Sequence, residues 1–306
     1  ISIRGNEMPA SPIRKLAPLA DAAKQRGVHV FHLNIGQPDL PTPQAAIDAI
    51  RNIDRKVLEY SPSAGNRSYR EKLVGYYAKF NINLTADDII ITSGGSEAVL
   101  FSFLSCLNPG DEIIVPEPAY ANYMAFAISA GAKIRTIATT IEEGFSLPKV
   151  EKFEELINER TKAILICNPN NPTGMLIPHR LLKRILEKCR KLDILLVVDE
   201  CFLDFVKEPE EYSLKHSLSG FNNLFILKAF TKRYAMAGVR LGYGLCSDRK
   251  LMERMELCVQ PWNVSTMAQA AGLQALTETE YVEEGRQLVF REAQWLKDEL
   301  VRIGYK

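Results

Sequence analysis

The sequence predicts an α/β protein built on a mostly parallel β-sheet with helices on both faces. The run Ile194–Val198 is apolar at every position, which is typical of a parallel strand covered on both sides. Similar runs alternate with amphipathic helices along most of the chain. The 306 residues, 46% hydrophobic and 25% charged, are enough to bury a large core.

The composition also argues against several classes of function. A formal net charge of +1 gives no electrostatic footprint for nucleic acid or a membrane surface. No apolar run approaches the length of a membrane span and no signal peptide opens the sequence, so a cytoplasmic protein is expected. The four histidines show no ligand spacing, and no metal site is predicted. The cysteines are scattered, mostly in apolar runs, and are expected to be reduced core residues: Cys106, Cys167, Cys189, Cys201, Cys246 and Cys258.

In the first half, glycines and prolines mark the boundaries between elements. Gly27 ends the first predicted helix, and residues 34–43 form a Gly/Pro-rich loop. An apolar strand then leads through a glycine turn into a helix that starts at Ser96. The predicted helices are Ile13–Arg26, Gln44–Arg51, Ser68–Phe80, the one from Ser96, and Ala121–Ala130; the predicted strands are Val28–Leu33, Ile89–Ile91, Glu112–Val115 and Lys133–Ala138.

In the second half, strands again alternate with helices. Pro178 is expected at the first position of an amphipathic helix. Gly238 lies just before a second apolar run and Gly242 lies within it, and both are expected to let backbones approach closely. The predicted helices are Lys149–Asn158, Pro178–Lys191, Asp248–Leu257 and Glu280–Arg302; the predicted strands and apolar runs are Ala163–Cys167, Ile194–Val198, Leu224–Leu227 and Val239–Leu245.

A lysine and an arginine eight residues apart stand out between the last two apolar runs. Lys232 lies just beyond the strand Leu224–Leu227, where desolvation and the charge of Arg240 should lower its pKa and make it an amine nucleophile. Arg240 can hold a phosphate through a forked pair of hydrogen bonds. Together they predict a phosphorylated carbonyl compound held as a Schiff base, although an exposed lysine and a solvated arginine remain the alternative for this pair alone.

Three further segments carry candidate site residues. Gly95 and Ser96 begin a helix whose free amides suit a phosphate, but no GK[ST] follows and Gly-Gly turns are common in α/β folds. Asp199 ends a buried strand, where a carboxylate is costly unless paired; capping of the next turn is the alternative. Asn171, in NPNNPTG at 168–174, lies in a turn after another buried strand.

The motifs NPNNPTG and VVDE at 197–200, with the segment Leu224–Leu245, resemble the fold-type I pyridoxal-phosphate (PLP) enzymes of the class I/II aminotransferase family. The resemblance runs from Asn34 to the end of the sequence. It implies a seven-stranded sheet with the site at the strand carboxyl ends, plus a small α+β domain that is incomplete here. The implied division is an N-terminal arm at 1–33, a PLP-binding large domain at 34–259 and the start of a truncated small domain at 260–306.

The resemblance implies a role for each candidate residue. Lys232 carries PLP and acts as general acid and base, and Asp199 keeps the pyridinium nitrogen protonated so that the ring is an electron sink. Around the ring, Asn171 bonds the phenolate oxygen, Tyr120 stacks on the pyridine and Gly36 lies over the substrate. The implied phosphate ligands are Gly95, Ser96, Thr231, Arg240 and, from the second subunit of a homodimer, Tyr60. Without the resemblance, ordinary packing is the favoured interpretation for Tyr60, and packing and a site role are equally compatible with Tyr120.

The sequence also departs from the family pattern. Ala229 replaces the Ser or Thr of many members, with Thr231 as the candidate to compensate, and Phe202 replaces a tyrosine that bonds the phenolate oxygen. Residues 30–170 resemble aspartate-type aminotransferases, whereas 175–306 resemble threonine-phosphate decarboxylase and histidinol-phosphate aminotransferase. A chimeric or engineered chain is therefore an alternative. The sequence ends before the family's arginine that clamps the substrate carboxylate.

The function that the resemblance implies is transfer of an amino group between an amino acid and a 2-oxo acid. One alternative is PLP-dependent decarboxylation of a phosphorylated amino acid, as the second half suggests. Others are an inactive engineered scaffold and a non-catalytic PLP-fold domain, such as the effector-binding half of a transcription regulator. Two observations argue against a non-catalytic PLP-fold domain. The Lys/Asp/Arg set is intact, and the sequence has neither a helix-turn-helix segment nor a basic arm.

Overall fold

The computed structural model describes residues 1–305, which form a seven-stranded sheet and twelve α-helices. The strands are β1 (Ile89–Thr92), β2 (Glu112–Glu117), β3 (Lys133–Ala138), β4 (Thr161–Cys167), β5 (Leu195–Asp199), β6 (Leu224–Ala229) and β7 (Gly242–Leu245). The helices are α1 (Ile3–Glu7), α2 (Ala17–Gln25), α3 (Gln44–Arg51), α4 (Arg67–Ala78), α5 (Gly95–Cys106), α6 (Asn122–Ala130), α7 (Val150–Leu156), α8 (His179–Lys191), α9 (Phe230–Arg233), α10 (Arg249–Cys258), α11 (Thr266–Ala275) and α12 (Thr279–Arg302).

The sheet is mostly parallel, as predicted. Its strand order is β1-β7-β6-β5-β4-β2-β3, and β7 runs antiparallel to both of its neighbours. The other pairs are parallel, so β1, β4, β5 and β6 all end at the same edge of the sheet. That edge collects the loops that follow these four strands, which is where ligands bind in open α/β sheets.

Helices cover both faces, and the strand side chains alternate between two cores. Along β4, for example, Ile164 and Ile166 enter one core, whereas Ala163 and Leu165 enter the other. The same alternation occurs along β5 and β6. A strand buried on both faces must be apolar at successive positions, which explains the continuous apolar runs in the sequence.

The N-terminal predictions are partly wrong. Residues 28–33 were predicted to be a strand, yet they are irregular and their apolar side chains are largely exposed. A strand needs a neighbour to satisfy its backbone groups, and none pairs with this segment in the described chain. The predicted helix Ile13–Arg26 is α-helical only from Ala17, after a 3₁₀ turn at Arg14–Leu16, because Pro18 is tolerated only in the first turn.

Three features of the second half differ from the predictions or were not foreseen. Lys232 lies just beyond β6, as predicted, but in the short helix α9, which was not foreseen, and Pro178 is the N-cap of α8 rather than its first residue. Helix α11 was not predicted, although Ser265 caps it by accepting a hydrogen bond from the Ala268 amide at 3.1 Å. Apolar side chains of α11 join the core that contains α4. The division at residues 33 and 259 stays a prediction.

Candidate active site

The amine of Lys232 lies at the carboxyl edge of the sheet, on helix α9 directly after β6. Its Nζ donates a hydrogen bond to the carbonyl of Gly36, in the Gly/Pro-rich loop, and lies 5.5 Å from the centre of the Phe202 ring. Burial lowers the pKa of the Lys232 amine below its usual range; Cys201 opposes this shift and Arg240 adds to it. The direction is the one predicted from the sequence, and it favours the nucleophilic amine.

The carboxylate of Asp199 ends β5, the strand next to β6. Its side chain is 9% exposed. One oxygen accepts a hydrogen bond from the hydroxyl of Tyr123 at 2.8 Å, and the other accepts one from the Cys201 amide at 2.9 Å. These two donors fix the orientation of the carboxylate, and each oxygen keeps further acceptor capacity.

Tyr123 is a site residue that the sequence analysis missed. It lies on α6, fully buried, and its ring meets Tyr120 edge to face at 5.4 Å. Burial, followed by the charge of Asp199, raises its pKa, so the hydroxyl remains a donor. Its sequence signal is weak: PAYANY contains two tyrosines, and only the fold shows that the second one reaches Asp199.

Arg240 meets the glycine turn that precedes α5. Its guanidinium donates to the carbonyl of Ser93 at 3.3 Å, and a Cβ added to Gly94, whose φ is +88°, would lie 2.9 Å from that guanidinium. The first amides of α5, at Gly95 and Ser96, have no partner within the helix. A guanidinium beside a helix N-terminus is suited to a phosphate group.

Gly242 lets the backbone of β7 lie close to the glycine turn at Gly94, as predicted, whereas Gly238 allows no such close approach. Gly242 pairs with Thr92 on one side and Ala229 on the other, so it joins the glycine turn to the strand that precedes Lys232. A Cβ there would lie 2.6 Å from the carbonyl carbon of Gly94. A Cβ at Gly238 would meet no atom within 4 Å, so the prediction for Gly238 was wrong.

A cavity of about 1050 Å³ opens beside Lys232. Gly36 and Asn171, both predicted site residues, line it together with Lys232. Most of the rest of its wall is apolar and comes from the loop after Gly36, from the segment after β5 and from α12: Pro38, Leu40, Phe202, Phe205, Val206, Leu288, Val289 and Phe290. The cavity therefore offers room for a substrate directly beside the amine.

Three of the predicted site residues form no hydrogen bond with Lys232, Asp199 or Arg240 in the described chain. Tyr120 is half-buried and accepts a hydrogen bond from the Asn122 amide group at 2.6 Å. Thr231 is half-buried on α9. Tyr60 is 77% exposed and stacks on Trp262 at 4.6 Å, outside the cavity.

Among residues 1–305 no set of three or more His, Cys, Asp or Glu side chains is arranged to hold a metal ion. No helix of the same range has the length and apolar character needed to cross a membrane.

Comparison with known proteins identifies the family. Residues 28–306 match the family described as aminotransferase class I and II, and the match spans both halves of the chain. The aspartate aminotransferase of Thermotoga maritima is 30% identical over 286 residues, covering 90% of this chain and 74% of the relative. The aspartate/prephenate aminotransferase of Thermus thermophilus is 31% identical over 296 residues, covering 92% and 74%.

Solved structures agree with the sequence matches. The crystal structure of the T. maritima aspartate aminotransferase has a TM-score of 0.91 at 27% identity and covers all of this chain and 82% of its own. A double mutant of the T. thermophilus aspartate aminotransferase has a TM-score of 0.92 at 30% identity, covering 100% and 81%. The chain belongs to the class I and II aminotransferases. It is thus an enzyme that moves an amino group between an amino acid and a 2-oxo acid, as the sequence predicts.

Proposed function

We propose that this aminotransferase uses PLP, held at the carboxyl edge of the sheet by Lys232, Asp199 and Arg240. The observation that carries the proposal is the convergence of β1, β5 and β6 at that edge. It brings the N-terminus of α5 beside Arg240, and it puts a fixed carboxylate at the end of β5 and an amine with a lowered pKa just after the neighbouring strand β6. The residue types match the phosphate, the ring nitrogen and the aldehyde of PLP.

Each residue then has a defined task. Arg240 and the first amides of α5 hold the phosphate with charge-assisted hydrogen bonds, and the hydroxyls of Thr231 and Ser96 are proposed as additional donors. Asp199, oriented by Tyr123, holds the protonated ring nitrogen. When bound, PLP supplies an electron-withdrawing ring that stabilises negative charge at the substrate α-carbon.

Lys232 is the general base and acid of the proposed mechanism. Its lowered pKa favours the neutral amine, and Nζ takes the proton from the substrate α-carbon and later delivers it to the cofactor carbon that takes over the amino group. Before it can do so, Nζ must leave the carbonyl of Gly36. Asn171 and Tyr120 complete the proposed ring site, and Phe202 leaves Asn171 as the side chain for the phenolate oxygen.

Chemical labelling tests the cofactor assignment. Borohydride reduction of the PLP-loaded protein, followed by peptide mapping, should place the pyridoxyl group on Lys232. Lys232→Ala should abolish the label, whereas Lys207→Ala, which removes another lysine from the wall of the same cavity, should keep it. A label on Lys207 or Lys228 would contradict the assignment.

An amino-acid panel tests the reaction. The loaded protein is incubated with amino acids and a 2-oxo acid acceptor while 2-oxo acid products and carbon dioxide are measured separately. The panel includes aspartate, which the names of the relatives specify, and phosphorylated amino acids. Transamination predicts new 2-oxo acid and no amine product, whereas release of carbon dioxide together with the matching amine would favour the decarboxylase alternative.

We further propose a homodimer in which Tyr60 serves the partner's phosphate site. Tyr60, Trp262, Val57 and Leu58 are all more than half exposed, an apolar set that a second copy would cover. Mixing Tyr60→Ala with Lys232→Ala should raise turnover in mixed dimers above that of either variant alone, because one site then has both residues. A monomer in sedimentation experiments, or no such increase, would contradict this.

A reducing compartment such as the cytoplasm is the proposed location, since all six cysteines are free thiols. Isolation of the protein from its natural source under thiol-blocking conditions should find all six unpaired. A disulfide in that material would contradict the proposed location.

A further inference from the structure

The glycine turn that precedes α5 is held by a carboxylate that the proposed mechanism does not use. Glu97, in the first turn of α5, accepts a hydrogen bond from the Ser93 amide on its Oε2 atom at 2.6 Å. The carbonyl of the same residue, Ser93, accepts a hydrogen bond from the guanidinium of Arg240 at 3.3 Å. Glu97 and Arg240 therefore hold the amide and the carbonyl of one residue, directly before Gly94 and the free amides of α5.

A second segment, distant in sequence, restrains the Glu97 carboxylate. The side-chain amide of Asn263 donates a hydrogen bond to the same Oε2 atom at 2.8 Å, across 166 residues of chain. The next residue, Val264, is 2% exposed, and its carbonyl accepts hydrogen bonds from Ser61 and Gln269. Asn263 thus belongs to a segment that is itself anchored, so it can hold the Glu97 carboxylate in place.

The charge of Glu97 has the wrong sign for a direct ligand of a phosphate. A carboxylate repels a phosphate dianion, and Glu97 lies in the same helical turn as the amides that are proposed to bind the phosphate of PLP. A carboxylate in the first turn of a helix commonly caps the helix and adds stability. Capping explains the bond to the Ser93 amide, but the bond from Asn263 ties the carboxylate to another part of the chain.

We propose that Glu97, restrained by Asn263, is a positioning residue for the phosphate site. It orients the glycine turn so that the first amides of α5 and the guanidinium of Arg240 can bind the same group. The inference rests on the proposed function, since it takes that group to be the phosphate of PLP. The benefit of this orientation to PLP binding must then exceed the repulsion between the Glu97 carboxylate and the phosphate.

Two substitutions of Glu97 separate orientation from charge in absorbance titrations of the PLP-free proteins with PLP. Glu97→Gln removes the charge, but its carbonyl oxygen can still accept both hydrogen bonds, so it should bind PLP at least as tightly as the parent. Glu97→Ala removes the same charge together with both bonds. It should bind PLP about ten-fold more weakly than Glu97→Gln, an effect comparable with the loss of one hydrogen bond to a charged group. Equal PLP affinities of the two variants would overturn the proposal, because only the charge would then matter.

Asn263→Ala tests the restraint from the second segment. It should weaken PLP binding about three- to ten-fold in the parent but have little further effect in Glu97→Ala, because the acceptor of its hydrogen bond is already gone. The matched control is Asn158→Ala, which removes a similar bond, from Asn158 Nδ2 to Glu112 at 2.7 Å, at the amino end of β2. Asn158→Ala should bind PLP like the parent.

Circular dichroism at the titration temperature establishes that each variant is folded before its PLP affinity is compared. If Glu97→Ala does not fold, the comparison of Asn263→Ala with Asn158→Ala decides. Parent-like PLP affinity of Asn263→Ala, or an equal loss in Asn158→Ala, would refute the positioning role and leave the proposed cofactor intact. A parent protein that binds no PLP would refute the proposed function and this inference together.

Discussion

Replacing Tyr123 with phenylalanine removes one hydroxyl from the site and leaves the ring in place. That hydroxyl donates to Asp199 at 2.8 Å in a fully buried setting. A hydrogen bond to a charged group contributes about 1.5–3 kcal/mol, so the free energy of unfolding should fall by about that amount. The second partner of Asp199, the Cys201 amide, remains, so the carboxylate should stay in place but be held less firmly.

Tyr77→Phe is the matched control for this experiment. Tyr77 and Tyr123 are both 2% exposed, but the Tyr77 hydroxyl bonds only the neutral hydroxyl of Tyr243, at 2.8 Å. Its loss should cost about 0.5–1.5 kcal/mol in thermal or urea unfolding, with turnover unchanged. Tyr123→Phe should in addition lower turnover by about ten- to a hundred-fold, the same free energy expressed as a rate.

A double-mutant cycle determines whether Tyr123 acts through Asp199. In the Asp199→Asn background, Tyr123→Phe should cost much less in turnover than it does in the parent, because the charge it supports is already gone. Equal costs in the two backgrounds, or an unfolding penalty no larger than that of Tyr77→Phe, would refute the positioning role.

Three further predictions concern the proposed cofactor site. Asp199→Asn keeps the side-chain shape but removes the charge, so PLP should still bind while turnover falls by about 10²–10³; unchanged turnover would exclude the role. In absorbance titrations of the PLP-free proteins, Arg240→Ala should weaken PLP binding far more than Thr231→Ala. Arg240→Lys should retain only part of the parent's PLP affinity, because an ammonium group cannot make the forked pair of hydrogen bonds. Parent-like affinity of Arg240→Ala would count against Arg240 as the phosphate ligand. Gly242→Ala should lower the free energy of unfolding by about 1–3 kcal/mol, since its Cβ would meet Gly94. Gly238→Ala should change the free energy of unfolding by less than about 0.5 kcal/mol. Similar losses in both variants would contradict the packing argument.

The fold and the centre of the site could be predicted because they depend on local sequence. A strand buried on both faces shows itself as a continuous apolar run, and the residues just after such runs collect at one edge of the sheet. Asp199 ends a strand of this kind, and Lys232 and Asn171 each follow one within a few residues. The segment 28–33 looked similar, but a strand also requires a neighbour, and a single sequence does not contain that information.

The remaining features depend on contacts between distant segments, where equivalent residues in the sequence have different roles. Gly238 lies just before an apolar run and Gly242 lies within it, yet only Gly242 pairs with both Thr92 and Ala229, through a register that β1, β6 and β7 set together. Tyr123 reaches Asp199 because α6 packs on the face of the sheet that β5 shares. Periodicity places a residue on a face of its own element. The atom that a side chain contacts on another element depends on how the two elements pack. Tyr123 and Asp199 are 76 residues apart, so the orientation of the Asp199 carboxylate depends on the packing of α6 against β5.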